Sequence, residues 1–443
     1  MLAAGAASSG AEVSKRDMIV RAVRPEDLEM PLSGFKDYLT PAAHFFVRSH
    51  HYVPKLELAA WKCKVDGLVE RETVFSMDDL RKLPRAGLVS VLECAGNGRG
   101  LFEPPMAGLQ WESGAVGNAR WTGVRLADVL KRAGVKNGAK EVWFDGADVP
   151  IGTMPKFQRT IPLKKALDPN TLLAFEMNGE ALGIQHGFPL RLIVPGWAGD
   201  CWVKWVTGIR LLDKEFDGFF MKTAYRHPGK PVSPGSAVDP AAMSPVTSLR
   251  VKSVIASHSD GAQVLPGLVK LTGVAWSGEA AVTSVEVSVN SGRTWTAARL
   301  GADRAAFGWR QWEYGWTPPR DGYYTVMARA RDASGDTQPF AQEWNPSGYL
   351  HNVVQHVGMT VTANPSGAPA GGGPPAPFQM SSKFRQSCIG CHEADVIEQQ
   401  RLTRGQWDKE IDKMVRWGAK VDAGDREDFL RSLVERFGPR ARK

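Results

Sequence analysis

Leu92-Glu93-Cys94-Ala95-Gly96-Asn97-Gly98-Arg99 puts a cysteine just past an apolar run and follows it with small, flexible residues. The run from Ala86 to Leu92 predicts a β-strand. Cys94 then stands at a strand end, where a backbone of alanine and glycine lets a bulky group come close. These residues alone leave two readings open: a buried structural cysteine, the commonest fate of a free thiol, or a thiolate offered to a bound group.

Working outward, residues 1–243 mix short strands such as Leu190 to Val194 with short helices such as Leu126 to Ala133, among frequent Gly and Pro. That is an α+β pattern. Over 244–362 the period changes to two. Val282, Val285, Val287 and Val289 form one stripe, Tyr323 to Ala330 a second strand and Gly267 to Trp276 a third. Turn signals at Asn290-Ser291-Gly292 and Pro318-Pro319-Arg320-Asp321-Gly322 separate them, which predicts an immunoglobulin-like β-sandwich.

Residues 363–379, ANPSGAPAGGGPPAPFQ, hold nine Pro or Gly among 17 and read as a tether. Beyond it, 380–443 carries Cys388-Ile389-Gly390-Cys391-His392. This is the attachment string of haem c, two thiols for thioether bonds and a histidine for iron. A redox disulfide or half a zinc site would need a second ligand pair that this region lacks. Arg404 to Gly418 and Arg426 to Phe437 predict helices, with Trp407, Ile411, Met414 and Val415 at helical spacing, so the module reads as a small all-α cytochrome c domain. Met414 is the candidate sixth iron ligand, against the alternative of an ordinary core methionine. So short a chain is marginal alone, and a covalently held haem would supply much of its core.

The chain has 443 residues, is 43% hydrophobic and 23% charged, and is an ordinary globular composition. No apolar run suits a membrane span; Leu192 to Val203 is broken by Pro195, Gly196, Gly199 and Asp200. A net charge of +8 suits an anionic substrate but is too diffuse for nucleic acid. Five cysteines are too few for a disulfide-built fold. Bacterial haem c attachment happens outside the cytoplasmic membrane, so a periplasmic location is expected from that motif. Met1-Leu2-Ala3-Ala4-Gly5-Ala6-Ala7 shows no charged n-region or long apolar core.

The cysteine segment resembles the CAGN motif of the sulfite oxidase family of molybdenum enzymes, and the resemblance runs through about the first 360 residues. Phe45-Phe46-Val47-Arg48-Ser49-His50 is similar to that family's F-x-R-N-H segment, and Trp121-Thr122-Gly123-Val124-Arg125-Leu126 to its W-x-G-x-x-L stretch. Met177-Asn178-Gly179-Glu180, His186-Gly187-Phe188-Pro189-Leu190-Arg191, Pro195-Gly196 and Val203-Lys204-Trp205 follow in the family's order and spacing. The resemblance implies a molybdopterin cofactor with Cys94 as thiolate ligand to molybdenum, which suits a soft, high-valent metal. It further implies that Arg48, His50, Asp148, His186, Arg191 and Lys204 hold the pterin and its phosphate, as charged forks and hydrogen-bond donors would.

For the substrate, Phe219-Phe220-Met221-Lys222-Thr223-Ala224-Tyr225 looks like the family segment carrying a tyrosine beside the metal. Trp309-Arg310-Gln311-Trp312 is similar to one carrying an anion-binding arginine. Tyr225 and Arg310 therefore join Arg48 as candidates to hold sulfite. The sandwich is similar to the family's dimerisation domain, implying a homodimer. The departures are Ser49 where Asn is usual, Gly98 where Arg or Ser is usual, and Trp202 at a place polar in some members.

The expectation is a periplasmic sulfite dehydrogenase that passes electrons through its own haem c to a soluble cytochrome c. The rival functions are a sulfane dehydrogenase acting on carrier-bound sulfur, a reductase running oxo transfer the other way, and an electron-transfer protein with a vestigial pocket.

Overall fold

A computed structural model describes residues 11–365 and 380–439. The tether lies outside the described residues from 366 onward, as does the Met1 to Ala7 start.

The first module holds two five-stranded sheets that share one hydrophobic core. One runs Glu180–Ala181, Leu172–Met177, Val116–Arg125, Arg85–Glu93, with Arg191–Ile193 also paired to Leu172–Met177. The other runs Thr73–Phe75, Cys63–Gly67, Val206–Leu212, Glu141–Gly146, Gln158–Pro162, with the Cys63 and Val206 strands parallel. The strand from Arg85 pairs with Val116–Arg125 along its whole length. Its second half is buried on both faces, so it reads as a continuous apolar run rather than an alternating one. Helix Leu126–Ala133 covers the module with Leu126, Val129, Leu130 and Ala133, a single stripe at helical spacing. It stops at Gly134, whose N–H closes the last turn on the Leu130 carbonyl at 3.0 Å and whose positive φ (74°) turns the chain out of the helix.

The sandwich packs a four-stranded sheet (Lys252–Ile255, Val269–Trp276, Arg310–Trp316, Arg299–Leu300) on a five-stranded one (Ala262–Val264, Gln355–Val361, Gly322–Asp332, Val282–Ser288, Thr296–Ala297). The valine stripe skips from 282 to 285 for a physical reason: the register shifts between Val282 and Ser284, and the extra residue of that bulge restores Val285 and Val287 to the core face. The two modules are joined at a buried carboxylate. Glu93 accepts from Lys252 Nζ at 3.1 Å and Trp276 Nε1 at 2.7 Å, both from the sandwich, and from Asn97 Nδ2 at 2.8 Å. The sandwich thus holds the turn that follows Cys94.

The C-terminal module is helical: Ser382–Cys388, Asp395–Glu398, Arg404–Arg416 and Arg426–Phe437. Thr403 and Gln406 form a capping box that starts the third helix. Phe384, Leu402, Trp407, Ile411, Phe429, Leu430, Leu433 and Phe437 form its core. Val415, read as part of the apolar stripe, is instead 42% exposed, because the stripe turns off the core after Ile411. Among the described residues no helix is long and apolar enough to cross a membrane.

Candidate functional site

Arg48, His50, Cys94, Asp148, His186, Arg191, Lys204 and Tyr225 line one cleft in the first module. Cys94 is placed by its strand: its N–H reaches the Ala115 carbonyl at 2.9 Å, and its own carbonyl accepts from Asn97 N at 2.9 Å. Asn97 also accepts from Ala115 N at 3.0 Å, so the turn is bonded on both sides. Burial pushes the Cys94 thiol up, against Arg48 and Arg99, which favour the thiolate. The Gly98 departure has a geometric cause. Its φ is 91°, and a Cβ there would meet the His351 Cβ at 2.6 Å.

One end of the cleft is crowded with positive charge. Lys204 Nζ donates to Ser49 Oγ at 3.1 Å and the Gln185 carbonyl at 2.9 Å, which gives the Ser49 departure a use. Arg191 Nη1 donates to the His186 carbonyl at 3.0 Å, while its buried Nε has no hydrogen-bond partner. Lys15 Nζ lies 3.0 Å from His186 Nε2. Burial, and then Arg191 beside it, pushes the Lys204 ammonium down to about 7. Burial pushes Arg191 down to about 9 and Lys15 down to about 7, and it holds His186 far below its usual range. Asp148 is raised to about 6 by burial; its Oδ2 makes no hydrogen bond, His51 Nε2 standing 3.9 Å away. Lys15 is spent on Ala42 O, Phe45 O and His186, but Lys204 and Arg191, desolvated and each with a donor to spare, fit a phosphate, and an unspent carboxylate oxygen fits the N–H groups of a pterin. The residues present therefore fit molybdopterin, with Cys94 as the thiolate for its metal.

At the other end the charges are paired. Arg48 Nη1 lies 3.3 Å from Asp27, whose Oδ1 also accepts from Ser49 N at 2.8 Å. Burial lifts Asp27 to about 7 against that arginine. Tyr225 shares a 2.7 Å hydrogen bond with His50 Nε2 and stacks on Tyr349 at 5.2 Å. His50 therefore meets the tyrosine and also stacks on Phe157 at 4.4 Å. Behind Tyr225, Arg159 sits 5.5 Å from the ring centroid and bonds Asp200 Oδ2 at 2.7 Å, both fully buried. Trp202, another departure, lines the cleft and donates to the Trp197 carbonyl at 2.9 Å.

Sequence reasoning missed Arg159, Asp200, Asp27 and Arg99. Asp200 left one trace, a charge inside the apolar run from Leu192, and Arg99 another, closing the cysteine segment; Asp27 and Arg159 left none, because their partners are distant in sequence. Arg310 lies apart from the other candidates. It is not among the residues lining the cleft. It opens strand Arg310–Trp316, where its Nη2 donates to the Gly301 carbonyl across the sheet at 2.9 Å. Arg99 stands nearer the thiol, held by Ser347 O at 3.0 Å and Leu109 O at 3.2 Å, with its guanidinium 5.2 Å from the Tyr349 ring centroid.

Cys388, Cys391, His392 and Met414 line a second cavity of about 680 Å³ with Trp407 and Trp417. Arg48, His50, Cys94, Arg99 and Tyr225 line the same cavity from the other side. His392 Nδ1 lies 2.9 Å from the Glu393 carbonyl, which leaves Nε2 for a ligand. Free thiols, an imidazole and a thioether around one apolar-walled space fit a haem.

The mixed module, its cysteine-headed cleft and the sandwich behind it define a molybdopterin-binding oxidoreductase. Residues 50–220 match the family "Oxidoreductase molybdopterin binding domain", and 243–362 match "Mo-co oxidoreductase dimerisation domain". Mitochondrial sulfite oxidase of Mus musculus is 35% identical over 359 residues, 77% of this chain and 65% of that protein. Sulfite oxidase of Gallus gallus is 35% identical over 347 residues, 75% of each chain. Among solved structures, the sulfane dehydrogenase SoxCD of Paracoccus pantotrophus superposes with a TM-score of 0.66 at 27% identity, covering 80% of this chain and 90% of that one. The chain thus spans a little under two-thirds of the length of the mouse enzyme. It belongs to the sulfite oxidase family and is a molybdenum-dependent oxidoreductase with a molybdopterin cofactor.

Proposed function

We propose that the chain is a periplasmic sulfite dehydrogenase, a homodimer through its sandwich, that delivers electrons through its own haem c to a soluble cytochrome c. The observation that carries this reading is the shared cavity, with Cys94 and Tyr225 on one wall and Cys388, Cys391, His392 and Met414 on the other. The reaction consumes sulfite and water and yields sulfate, two protons and two electrons. Bound molybdopterin would supply, through its molybdenum, oxygen-atom exchange and two-electron redox chemistry, and haem c would supply one-electron chemistry.

The chain's own residues bind and orient. Arg48 and Arg99 draw the oxyanion toward Cys94, and Asp27 keeps the Arg48 fork in place. Tyr225, fixed by His50 and stacked on Tyr349, offers its hydroxyl to a substrate oxygen. Phe157 and Phe220 keep that corner dry, which strengthens each polar contact in it. Lys204, Arg191, His186 and Asp148 hold the pterin end. Cys388 and Cys391 would anchor the haem, with His392 and Met414 as its iron ligands.

A second reading, oxidation of sulfane sulfur on a carrier, is favoured by the structural likeness to SoxCD. An anaerobic optical titration of the haem-loaded, molybdenum-replete protein with sulfite separates the two. Growth of the reduced haem α-band, abolished in Cys94→Ser, is expected. An unchanged spectrum from a haem that dithionite still reduces would reject sulfite and favour the carrier-bound substrate.

A further inference from the structure

The C-terminal module lies on the first module through bonds to main chain. Gln399 Oε1 accepts from Gln110 N at 2.8 Å while its Nε2 donates to the Arg21 carbonyl at 2.7 Å. Gln400 Oε1 accepts from Gly108 N at 3.3 Å and its Nε2 donates to the Gly108 carbonyl at 2.9 Å. Gln400 thus engages Gly108 with donor and acceptor together, as a neighbouring strand would, while Gln399 bridges the Gln110 and Arg21 segments. Further bonds surround the clamp: Val23 N to Asp395 Oδ2 at 2.7 Å, Tyr52 OH to the Cys391 carbonyl at 3.1 Å, and Thr153 N to the Trp417 carbonyl at 3.3 Å. Among the described residues, ion pairing across this face amounts to Arg24 with Glu393 at 3.3 Å, both nearly half exposed.

We propose that this face is a fixed lid contact: the glutamine clamp keeps the C-terminal module seated over the cleft through turnover, so that the cleft admits small free oxyanions and not sulfur carried on a protein arm. A module that shuttled between the cleft and an outside partner would be expected to dock through exposed, salt-screened charges that release easily. Here the glutamine clamp at the centre of the contact is neutral, directional and partly buried, charge enters at Asp395 and the half-exposed Arg24–Glu393 pair, and Gln400 itself is buried. A short tether adds to this by keeping the module's local concentration high. Under the seated module Cys94 is 8% and Tyr225 6% exposed. The docking stands without the haem or sulfite readings; the limit on substrate size alone rests on the proposed function.

Hydrogen exchange on the full-length protein tests it, because the amides of Gly108 and Gln110 have the two glutamines as their bonded partners. These amides should exchange at least about tenfold more slowly in the wild type than in a Gln399→Ala/Gln400→Ala variant. Raising salt to 0.5 M should not speed them in the wild type. The Gly100 amide, bonded at 2.9 Å to the Trp111 carbonyl within the first module, should stay protected throughout. Should Gly100 lose protection in the variant, that protein is unfolding and the wild-type salt series decides alone. Equal exchange in wild type and folded variant, or wild-type amides that speed up with salt, would overturn the fixed lid. Neither result depends on catalytic activity, so a failure here is separable from a failure of the sulfite reading.

Discussion

The two ends of the cleft use buried charge differently. Arg48 and Arg159 each face a carboxylate, Asp27 at 3.3 Å and Asp200 at 2.7 Å. Arg191 and Lys204, equally enclosed, donate to carbonyl and hydroxyl oxygens and crowd one another. The paired end is complete within the protein and shapes the wall behind Tyr225. The unpaired end, with donors left over, suits an anion such as the phosphate of the cofactor.

Breaking the paired end should have the larger effect on folding. Asp200→Ala leaves Arg159 buried without its partner and should cost about 3–5 kcal/mol, read from urea unfolding of the cofactor-free protein. A double variant, Arg159→Met with Asp200→Leu, should recover most of that loss, because the penalty belongs to the orphaned charge. Breaking the unpaired end should do the reverse. In Lys204→Met the cofactor-free protein should keep or raise its Tm, since a desolvated cation is gone, while molybdenum content after purification falls about tenfold.

The same contrast predicts a pH slope. Lys15 and Lys204 sit near 7 in the folded protein, against 10.5 as the ordinary value. Their contribution to stability is fully present above the ordinary value and is lost as pH falls through about 7. Thermal unfolding of the cofactor-free protein should therefore rise in Tm from pH 7 toward 10. With the cofactor bound its phosphate keeps Lys204 charged and the slope should shrink; equal slopes would refute an anion site at that end. The smallest effect belongs to Arg310. Arg310→Gln should change kcat/KM for sulfite by less than about twofold, since the side chain bonds a sheet carbonyl away from the cleft.

Much of this was written in the sequence where local pattern and function coincide. The strand leading to Cys94, helix Leu126–Ala133 and helix Arg426–Phe437 all follow from apolar spacing. Arg48, His186, Arg191 and Lys204 could be named from ordered motifs, and the structure gathers them into one cleft. What stayed hidden depends on contacts between distant residues. Arg159 reaches Asp200 across 41 positions, Glu93 reaches Lys252 across 159, and Gln400 reaches Gly108 across 292. No local pattern marks such partners. Arg310 shows the complementary limit: a short likeness around two tryptophans does not say which way the strand presents the side chain between them. The valine stripe is readable despite its skip, since a bulge adds one residue without changing the face.

The central claim is that the cysteine cleft and the C-X-X-C-H module act on one shared cavity within one chain. Stopped-flow reduction of the haem by excess sulfite, at protein concentrations spanning a hundredfold, tests it most directly. The account predicts a first-order rate constant independent of protein concentration. A rate constant that rises in proportion to protein concentration would mean that electrons cross between molecules, and would contradict it.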